Sequence, residues 1–198
     1  MNVGIVVEGP SDRAVYPVLM NRVRKGISNL QIRECGGKSK LKNGFLGFLK
    51  EFQRNPAWRI DISFVIRDSD CNPPQQVEEQ LANVLRLSRF IPDFRVEFFA
   101  TKCVLESWLL SDIEAIRMVG APSHHEPEAA VQIPPVAPAQ SGEDKDVFKK
   151  ILSQFRLSPT PPVYGKIAAL TNLNLISQRC NYFREFTRRV TELEPRHG

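Results

Sequence analysis

The sequence predicts an α/β fold, in which a mainly parallel sheet is flanked by helices and a helical extension follows towards the C-terminus. Three observations predict it. Short runs of β-branched and other apolar residues alternate along the first half of the chain with segments whose apolar residues repeat at helical spacing. Turn-forming pairs such as Gly36-Gly37 separate these segments. With 198 residues, 42% of them hydrophobic, the chain can bury one sizeable core.

Four segments have the character of strands, because they are short, apolar or alternating, and bounded by turn residues. They are residues 3–7, 30–35, 60–66 and 94–99. Helices are expected after the first three, from Asp12 to Gly26, over residues 38–52, and from Pro73-Pro74 through Leu85. In a parallel sheet of this kind, functional groups gather at the carboxyl ends of the strands.

The second half of the chain is predicted to be helical around one insertion. One helix is expected over residues 103–119, and three more are expected over 147–155, 167–170 and 182–193. Residues 120–144 are rich in Pro, Ala, Gln, Ser and acidic residues, a composition that buries too little apolar surface to become ordered. We therefore predict a core over 1–119, a flexible Pro-rich insertion over 120–144, and an extension over 145–198 that packs on the core.

Charge and cysteine content narrow the functional classes. The 27 Lys and Arg residues exceed the 22 Asp and Glu residues, and the net charge of +5 favours contact with a polyanion, although a basic surface with no partner is equally compatible. The four cysteines have no CxxC spacing, so we predict neither a zinc site nor a disulfide framework, but reduced thiols. No signal-peptide pattern or run of about 20 apolar residues is present, so we expect a cytoplasmic protein with no membrane contact.

Acidic residues follow two of the predicted strands. Glu8 comes after the first strand, and Asp68 and Asp70 come after the third. If these strands are neighbours, their parallel ends bring three carboxylates into one crevice, which suits a hard divalent cation. The Asp-x-Asp triplet by itself is also common in loops, where it caps helices or turns the chain.

Three motifs carry a resemblance to a known family: VEGPSDRAVYPVL, which contains Glu8, IRDSDC, and CVLESWLLSDIEAI, which contains Glu106 and Trp108. A Glu-Gly after the first strand and an Asp-x-Asp after a later one resemble the Toprim domain of topoisomerases, primases and the overcoming-lysogenisation-defect nucleases. The motifs are most similar to Toprim-like bacterial proteins that are often found beside ATPases in phage defence. Tyr164-Gly165-Lys166, followed by a helix over residues 180–186, is similar to the same proteins. Pro73 stands where topoisomerases and primases usually have a Gly, which argues against those two activities.

The resemblance implies a metal-dependent active site. Glu8, Asp68, Asp70 and Glu106 would hold one or two Mg²⁺ or Mn²⁺ ions, and Lys166 would neutralise charge on a substrate phosphate. Each of the last two residues has a structural alternative, since a Glu in the first turn of a helix is favoured by the helix dipole and a Lys is most often solvated. Asp12 is read as a helix cap and Trp108 as a core residue.

These expectations combine into two hypotheses of different classes. The first is a Toprim-type phosphodiesterase, a nuclease that cleaves DNA or RNA and serves as a phage-defence effector with an ATPase partner. The second is a non-catalytic Toprim-like subunit that binds nucleic acid or protein within an ATPase-containing complex. Basic clusters could contact phosphates in either case, or could be solvated surface. They are Arg22, Arg24 and Lys25; Lys38, Lys40 and Lys42; and Arg184, Arg188 and Arg189.

We predict that limited proteolysis cuts residues 120–144 first, because their backbone is expected to lack buried partners. Shortening the segment should change the free energy of unfolding by less than about 1 kcal/mol, since the entropy of loop closure depends only weakly on length. Mass spectrometry of the fragments and melting curves of the parent and a shortened variant measure both effects. A deletion that unfolds the domain would mean that the segment packs on the core.

Overall fold

The structure, a computed structural model, describes residues 1–120 and 141–194. Its strands are β1 (Asn2–Val7), β2 (Asn29–Glu34), β3 (Ile62–Asp68) and β4 (Arg95–Thr101). Its helices are α1 (Pro10–Val23), α2 (Lys38–Arg54), α3 (Pro74–Leu87), α4 (Glu106–Leu110), α5 (Ile113–Gly120), α6 (Asp144–Gln154), α7 (Pro161–Leu170), α8 (Leu173–Arg179) and α9 (Asn181–Thr191). The predicted strands and the helices between them are confirmed.

In the described residues, the strands form one parallel sheet in the order β2-β1-β3-β4. From β1 the chain passes through α1 to β2, which pairs with one edge of β1. Helix α2 then leads to β3, which pairs with the other edge of β1. This reversal makes β1 and β3 neighbours at the centre of the sheet, with Val6 paired in register with Val65. Their carboxyl ends therefore meet at the switch point where α/β folds bind ligands.

The sheet separates two apolar layers, because successive side chains of a strand point to opposite faces. Val6 and Val65 pack with α2 and α3 in one layer. Ile5 and Phe64 pack with α1 and the helices of the second half of the chain in the other. The larger layer lies on the second side, so the C-terminal helices form part of the main core.

The layer on the α2 side requires a glycine in β1. Phe52, which is 1% exposed, lies against Gly4, and a Cβ atom at Gly4 would be 2.6 Å from Phe52 Cε2 and 3.2 Å from Ser63 Oγ. Cβ contacts below 3.0 Å are not sustained without movement of a neighbour. The aromatic ring therefore sits directly on the strand backbone, which fixes the distance between α2 and the sheet.

An aromatic cluster centres on Trp108, as the interpretation of this residue as core predicts. Its ring centroid lies 5.0 Å from that of Phe183 and 5.3 Å from that of Phe186, both on α9. Tyr16 on α1 contacts the same indole edge-on at 5.9 Å. These contacts anchor α4 and α9 to the sheet.

The prediction of one helix over residues 103–119 is wrong, because the segment divides into α4 and α5. The break lies at Asp112, whose Oδ1 accepts a hydrogen bond from the Ala115 N–H while its Oδ2 accepts one from the Asn172 N–H. A side chain that bonds to backbone amides competes with helical geometry. The short helix α8, which begins after Asn172, was not predicted.

The prediction of reduced thiols throughout is also wrong, because Cys71 and Cys103 form a disulfide. They are separated by 32 positions and lie after β3 and β4, whose parallel pairing brings the two loops together. Cys35 and Cys180 are free. The disulfide could not be predicted from the spacing of the cysteines in the sequence, because only the tertiary structure makes the two positions adjacent.

Most of the predicted insertion, residues 121–140, lies outside the described residues. Asp144, at its predicted end, is the first residue of α6, where its buried Oδ2 accepts a hydrogen bond from Ser107 Oγ at 2.5 Å. This contact ties the start of α6 to α4. Among the described helices, none combines the length and apolar character needed to cross a membrane.

We predict that Gly4→Ala lowers the free energy of unfolding by about 1–3 kcal/mol, because the new methyl group must displace the buried Phe52 ring. Chemical denaturation measures the change. Gly47→Ala in α2 is the matched control, since nothing lies within 4 Å of its Cβ position. That change should instead add roughly 0.5–1 kcal/mol through helix propensity. Equal effects of the two changes would contradict the close packing described for Gly4.

Candidate functional site

The acidic residues selected from the sequence converge on the carboxyl edge of the sheet. Glu8 follows the last residue of β1, Asp68 ends β3, and Asp70 lies two residues further along. Glu106 begins α4, after the loop that leaves β4. The central pairing of β1 with β3 is the reason that residues 60 positions apart come together.

Glu8 and Asp70 lie beside basic side chains on the α2 side of the sheet. The Arg67 guanidinium, 5% exposed, has its Nε 3.5 Å from Glu8 Oε1 and its Nη2 3.7 Å from Asp70 Oδ2. Lys38, the first residue of α2, forms an ion pair with Asp70. We call Glu8, Asp70, Arg67 and Lys38 the paired group, because each acid in it faces a cation.

Three other acids lie on the opposite side of the sheet, where no cationic side chain that the structure describes pairs with them. They are Asp12, Asp68 and Glu106. Within residues 1–120 and 141–194, none of the three has a salt bridge. Glu106 is only 4% exposed, and Asp68 Oδ1 is shielded from water without a hydrogen-bond partner. We call these three residues the buried acidic group, although only Glu106 is buried as a whole residue, and Asp12 and Asp68 are half-buried.

The buried acidic group is electrostatically strained. Burial raises the pKa of Asp68 well above its ordinary value, and the charges of Asp12 and Glu106 raise it further. Burial also raises the pKa of Asp12 to about 7, against a hydrogen bond from the Gly9 N–H that lowers it. Desolvation and mutual repulsion both favour neutral carboxyls in the absence of a cation.

Neighbouring side chains orient the buried acidic group. Tyr164 on α7 donates a hydrogen bond from its hydroxyl to Glu106 Oε1 at 3.1 Å. Gly9 is the N-cap of α1, and Asp12, three residues further on, accepts a hydrogen bond at Oδ2 from the Gly9 N–H at 3.0 Å. Asp12 therefore acts near the N-cap, as predicted, and its charge also interacts with those of Glu106 and Asp68. Capping and participation in a site are thus compatible for this residue.

Two lysines near the site differ in whether the sequence selected them. Lys166 is exposed on α7, two residues beyond Tyr164, and its role in phosphate binding stays a prediction. Burial raises the pKa of both Glu8 and Asp12, and the charge of Lys145, on α6, opposes that rise. Sequence reasoning did not select Lys145, because the segment before it has no recognisable motif.

The predicted basic clusters differ in what they contact. Arg22 donates to the Ala168 carbonyl at 2.6 Å, Arg24 to the Thr191 carbonyl at 2.5 Å, and Arg189 to the Phe98 carbonyl at 2.8 Å, so these three are structural. Arg188 is paired with Glu185 and Glu192. Of the predicted clusters, the one that begins at Lys38 lies beside the acidic residues.

The donor chemistry of the site fits a divalent cation only in part. In the described portion of the chain, no group of three or more His, Cys, Asp and Glu side chains is arranged to hold a metal ion. In the same portion, Asp68 Oδ1 is nevertheless buried without a hydrogen-bond donor, and Glu8 Oε1 accepts no hydrogen bond either, although Arg67 Nε lies 3.5 Å from it in an ion pair. Buried acceptors without a donor are uncommon, and hard cations such as Mg²⁺ are bound by oxygens of this kind. The residues therefore suit a hard cation, provided that the side chains move towards it.

Comparison with solved structures identifies the fold. The C-terminal region of the OLD protein of Burkholderia pseudomallei matches with a TM-score of 0.51 and 17% sequence identity, over 94% of this chain and 98% of that one. This chain has the fold of an OLD C-terminal region. A second match, the C-terminal region of the Xanthomonas campestris OLD protein, has a TM-score of 0.47 and 15% identity over 96% of this chain and 98% of that one. The first match confirms the predicted α/β fold and, at the level of fold alone, the resemblance to the OLD branch.

Comparisons of the sequence itself add nothing further. No protein-family model matches the chain, and no curated protein matches it at a significant level. A structural match at 17% sequence identity shows the fold of this chain and does not show its function. The function is therefore argued from the residues of the site.

We predict that the metal-free protein loses about 1–2 kcal/mol of stability as the pH rises from 5 to 7.5. The unfolded chain releases the Asp12 proton near pH 4, whereas the folded protein holds it until about pH 7, so stability present at low pH is lost through this interval. Denaturation in a chelator at several pH values measures the slope. Asp12→Asn should reduce the slope, whereas Glu79→Gln, at an exposed position on α3, should leave it unchanged. An unchanged slope in Asp12→Asn would contradict the assignment.

Proposed function

We propose that this chain is a Toprim-type nuclease that uses Mg²⁺ or Mn²⁺ to hydrolyse phosphodiester bonds in DNA or RNA. The observation that carries the proposal is the buried acidic group at the carboxyl ends of the central strands. Burying several carboxylates without a cation costs free energy, so such an arrangement is unexpected unless a ligand compensates it. A divalent cation is the ligand that this chemistry suits best.

Asp68, Asp12 and Glu106 are the proposed ligands, with Glu8 and Asp70 at the adjacent edge. When bound, the cation supplies positive charge that offsets the negative charge developing on the attacked phosphodiester. Tyr164 would hold Glu106 in one orientation through its hydrogen bond, because a fixed carboxylate loses less entropy on binding than a free one.

A nucleic acid would approach over the carboxyl edge of the sheet. Lys38 and Lys145 are exposed there, and both have charges that act on Glu8. The N-termini of α1 and α2 lie at the same edge, since Gly37 N–H donates to the Glu8 carbonyl at 2.7 Å. Positive side chains and helix N-termini both favour phosphate, without reading the base sequence. Lys166 is a further proposed phosphate contact.

One observation favours the alternative, a non-catalytic subunit that binds nucleic acid or protein. Arg67 and Lys38 already neutralise Glu8 and Asp70, so part of the predicted ligand set is satisfied without a metal ion. Incubation of the purified chain with plasmid or tRNA and Mn²⁺ distinguishes the two hypotheses. A binding subunit would shift the substrate on a gel and leave it whole.

The sequence motifs extend the proposal to a biological setting. The similar Toprim-like proteins often stand beside ATPases in phage defence, so we propose an ATPase as a partner, a role as a defence effector and a cytoplasmic location. Cleavage measured with and without the candidate ATPase tests whether a partner is needed for activity.

We predict that Asp68→Ala or Asp70→Ala lowers phosphodiester cleavage by at least about a hundredfold, the scale of lost charge stabilisation, while substrate binding largely survives. Asp68→Asn should raise the melting temperature of the metal-free protein, because an amide needs neither desolvation of a charge nor uptake of a proton at this position, and should lose most of the further rise that Mn²⁺ gives the parent.

Cleavage gels and thermal melts with and without Mn²⁺ provide these measurements, and Glu79→Gln on the exposed face of α3 is the control that should match the parent. Full cleavage by Asp68→Ala in buffer with excess metal would remove the acidic residues from the mechanism. A lower metal-free melting temperature in Asp68→Asn, with no response of the parent to Mn²⁺, would exclude the metal site.

A further inference from the structure

A disulfide lies at the edge of the acidic site and joins two of the segments that carry it. Cys71 directly follows Asp70, and Cys103 lies three residues before Glu106. The bond therefore connects the loop after β3, which begins next to Asp68 and carries Asp70, to the loop that leads into α4. Any change in this bond acts on both segments.

Hydrogen bonds tie the two loops together next to the disulfide. The Ser69 N–H donates to the Thr101 carbonyl at 2.9 Å, and the Asp70 N–H donates to the Cys103 carbonyl at 3.1 Å. Ser69 Oγ accepts from the Cys103 N–H at 2.9 Å. These bonds hold Asp70 in place only while the loops stay at their present distance.

The backbone next to the disulfide adopts a conformation that these residues rarely take. Asp70, Cys71 and Cys103 have φ values of 48°, 63° and 57°, all in the left-handed region. Residues other than glycine occupy that region at a cost in free energy, and they remain there only when surrounding contacts hold them. The disulfide is the covalent contact that connects all three.

The two sulfur atoms differ in their access to solvent. Cys71 is exposed, whereas Cys103 is 2% exposed. A small thiol can therefore approach the disulfide from the side of Cys71, and attack there makes the Cys103 sulfur the leaving group. Exposed disulfides exchange readily with small thiols and are the ones used in regulation, whereas buried structural disulfides resist reduction.

We propose that Cys71–Cys103 is a reversible thiol–disulfide exchange site that sets the position of the Asp70 loop relative to Glu106. Its reaction partners are low-molecular-weight dithiols and disulfides. The closed form assembles the acidic edge described above, and the open form releases Asp70 from its left-handed conformation. The effect on metal binding rests on the proposed function, whereas the exchange reaction and the loop movement do not.

The exchange reaction balances with a dithiol as reductant. One thiolate of the dithiol attacks Cys71 Sγ, the Cys71–Cys103 bond breaks, and Cys103 Sγ leaves with the electron pair and takes a proton from water. The second thiol of the reagent then displaces Cys71, which also becomes a thiol. The dithiol ends as a cyclic disulfide, so two electrons pass to the protein.

Thiol counting and amide hydrogen exchange on the full-length protein test the site without any metal. After treatment with oxidised glutathione, alkylation under denaturing conditions should find two free thiols, Cys35 and Cys180, and after dithiothreitol all four. The amides of Ser69 and Asp70 should exchange at least about tenfold faster in the reduced protein, because the hydrogen bonds that protect them loosen. Four free thiols after oxidation, or equal exchange in the two states, would overturn the proposal.

Variants and Mn²⁺ binding complete the experiment. Cys71→Ser and Cys103→Ser should show the fast exchange of the reduced protein in both redox states, and Cys35→Ser, at a free cysteine, should respond like the parent. Mn²⁺ titration by calorimetry should give at least about fivefold weaker binding to the reduced parent. If Mn²⁺ binds neither form while hydrogen exchange still depends on redox state, the proposed function fails and the exchange site stands. Mn²⁺ that binds both forms equally would remove the coupling to the acidic site.

Discussion

The pairing of β1 with β3 is the constraint on which the rest of the structure depends. Because α1 returns the chain to one side of β1 and α2 carries it to the other, the two central strands end side by side. Their last residues deliver Glu8 and Asp68 to one edge, and the parallel pairing of β3 with β4 then brings the segment before Glu106 to the same place. Without this topology the acidic residues would be scattered surface charges.

The pleat of β3 divides those acids into two environments. Arg67 and Asp68 are consecutive, so they point to opposite faces of the sheet. The guanidinium neutralises Glu8 and Asp70 on the α2 side, while Asp68 faces Asp12 and Glu106 on the other side without an ion pair. In the described part of the chain, one edge of the sheet thus contains acids that are paired with cationic side chains and acids that are not. The proposed ligands belong to the second set, and Glu8 and Asp70 of the first set lie beside them.

The C-terminal helices supply residues both to the acidic site and to the apolar core. Tyr164 on α7 orients Glu106, and Lys145 on α6 places a positive charge near Glu8 and Asp12. The same helices are anchored by the Trp108 cluster and by the bond between Ser107 and Asp144. Packing and site geometry are coupled here, because one short helix, α4, carries both Trp108 and Glu106.

The order of strands and helices in the first half of the chain could be predicted from the sequence, because apolar spacing and turn residues are local signals. The same local signals placed Glu8, Asp68 and Asp70 at strand ends. The sequence alone could not show that Asp12 both caps a helix and faces the site, that Arg67 and Lys38 already neutralise Glu8 and Asp70, or that Cys71 and Cys103 are bonded. The break at Asp112, where a local bond to Ala115 acts together with a bond to the distant Asn172, was not predicted either. Contacts between residues far apart in the chain contribute to each of these features, and only the tertiary structure brings such residues together.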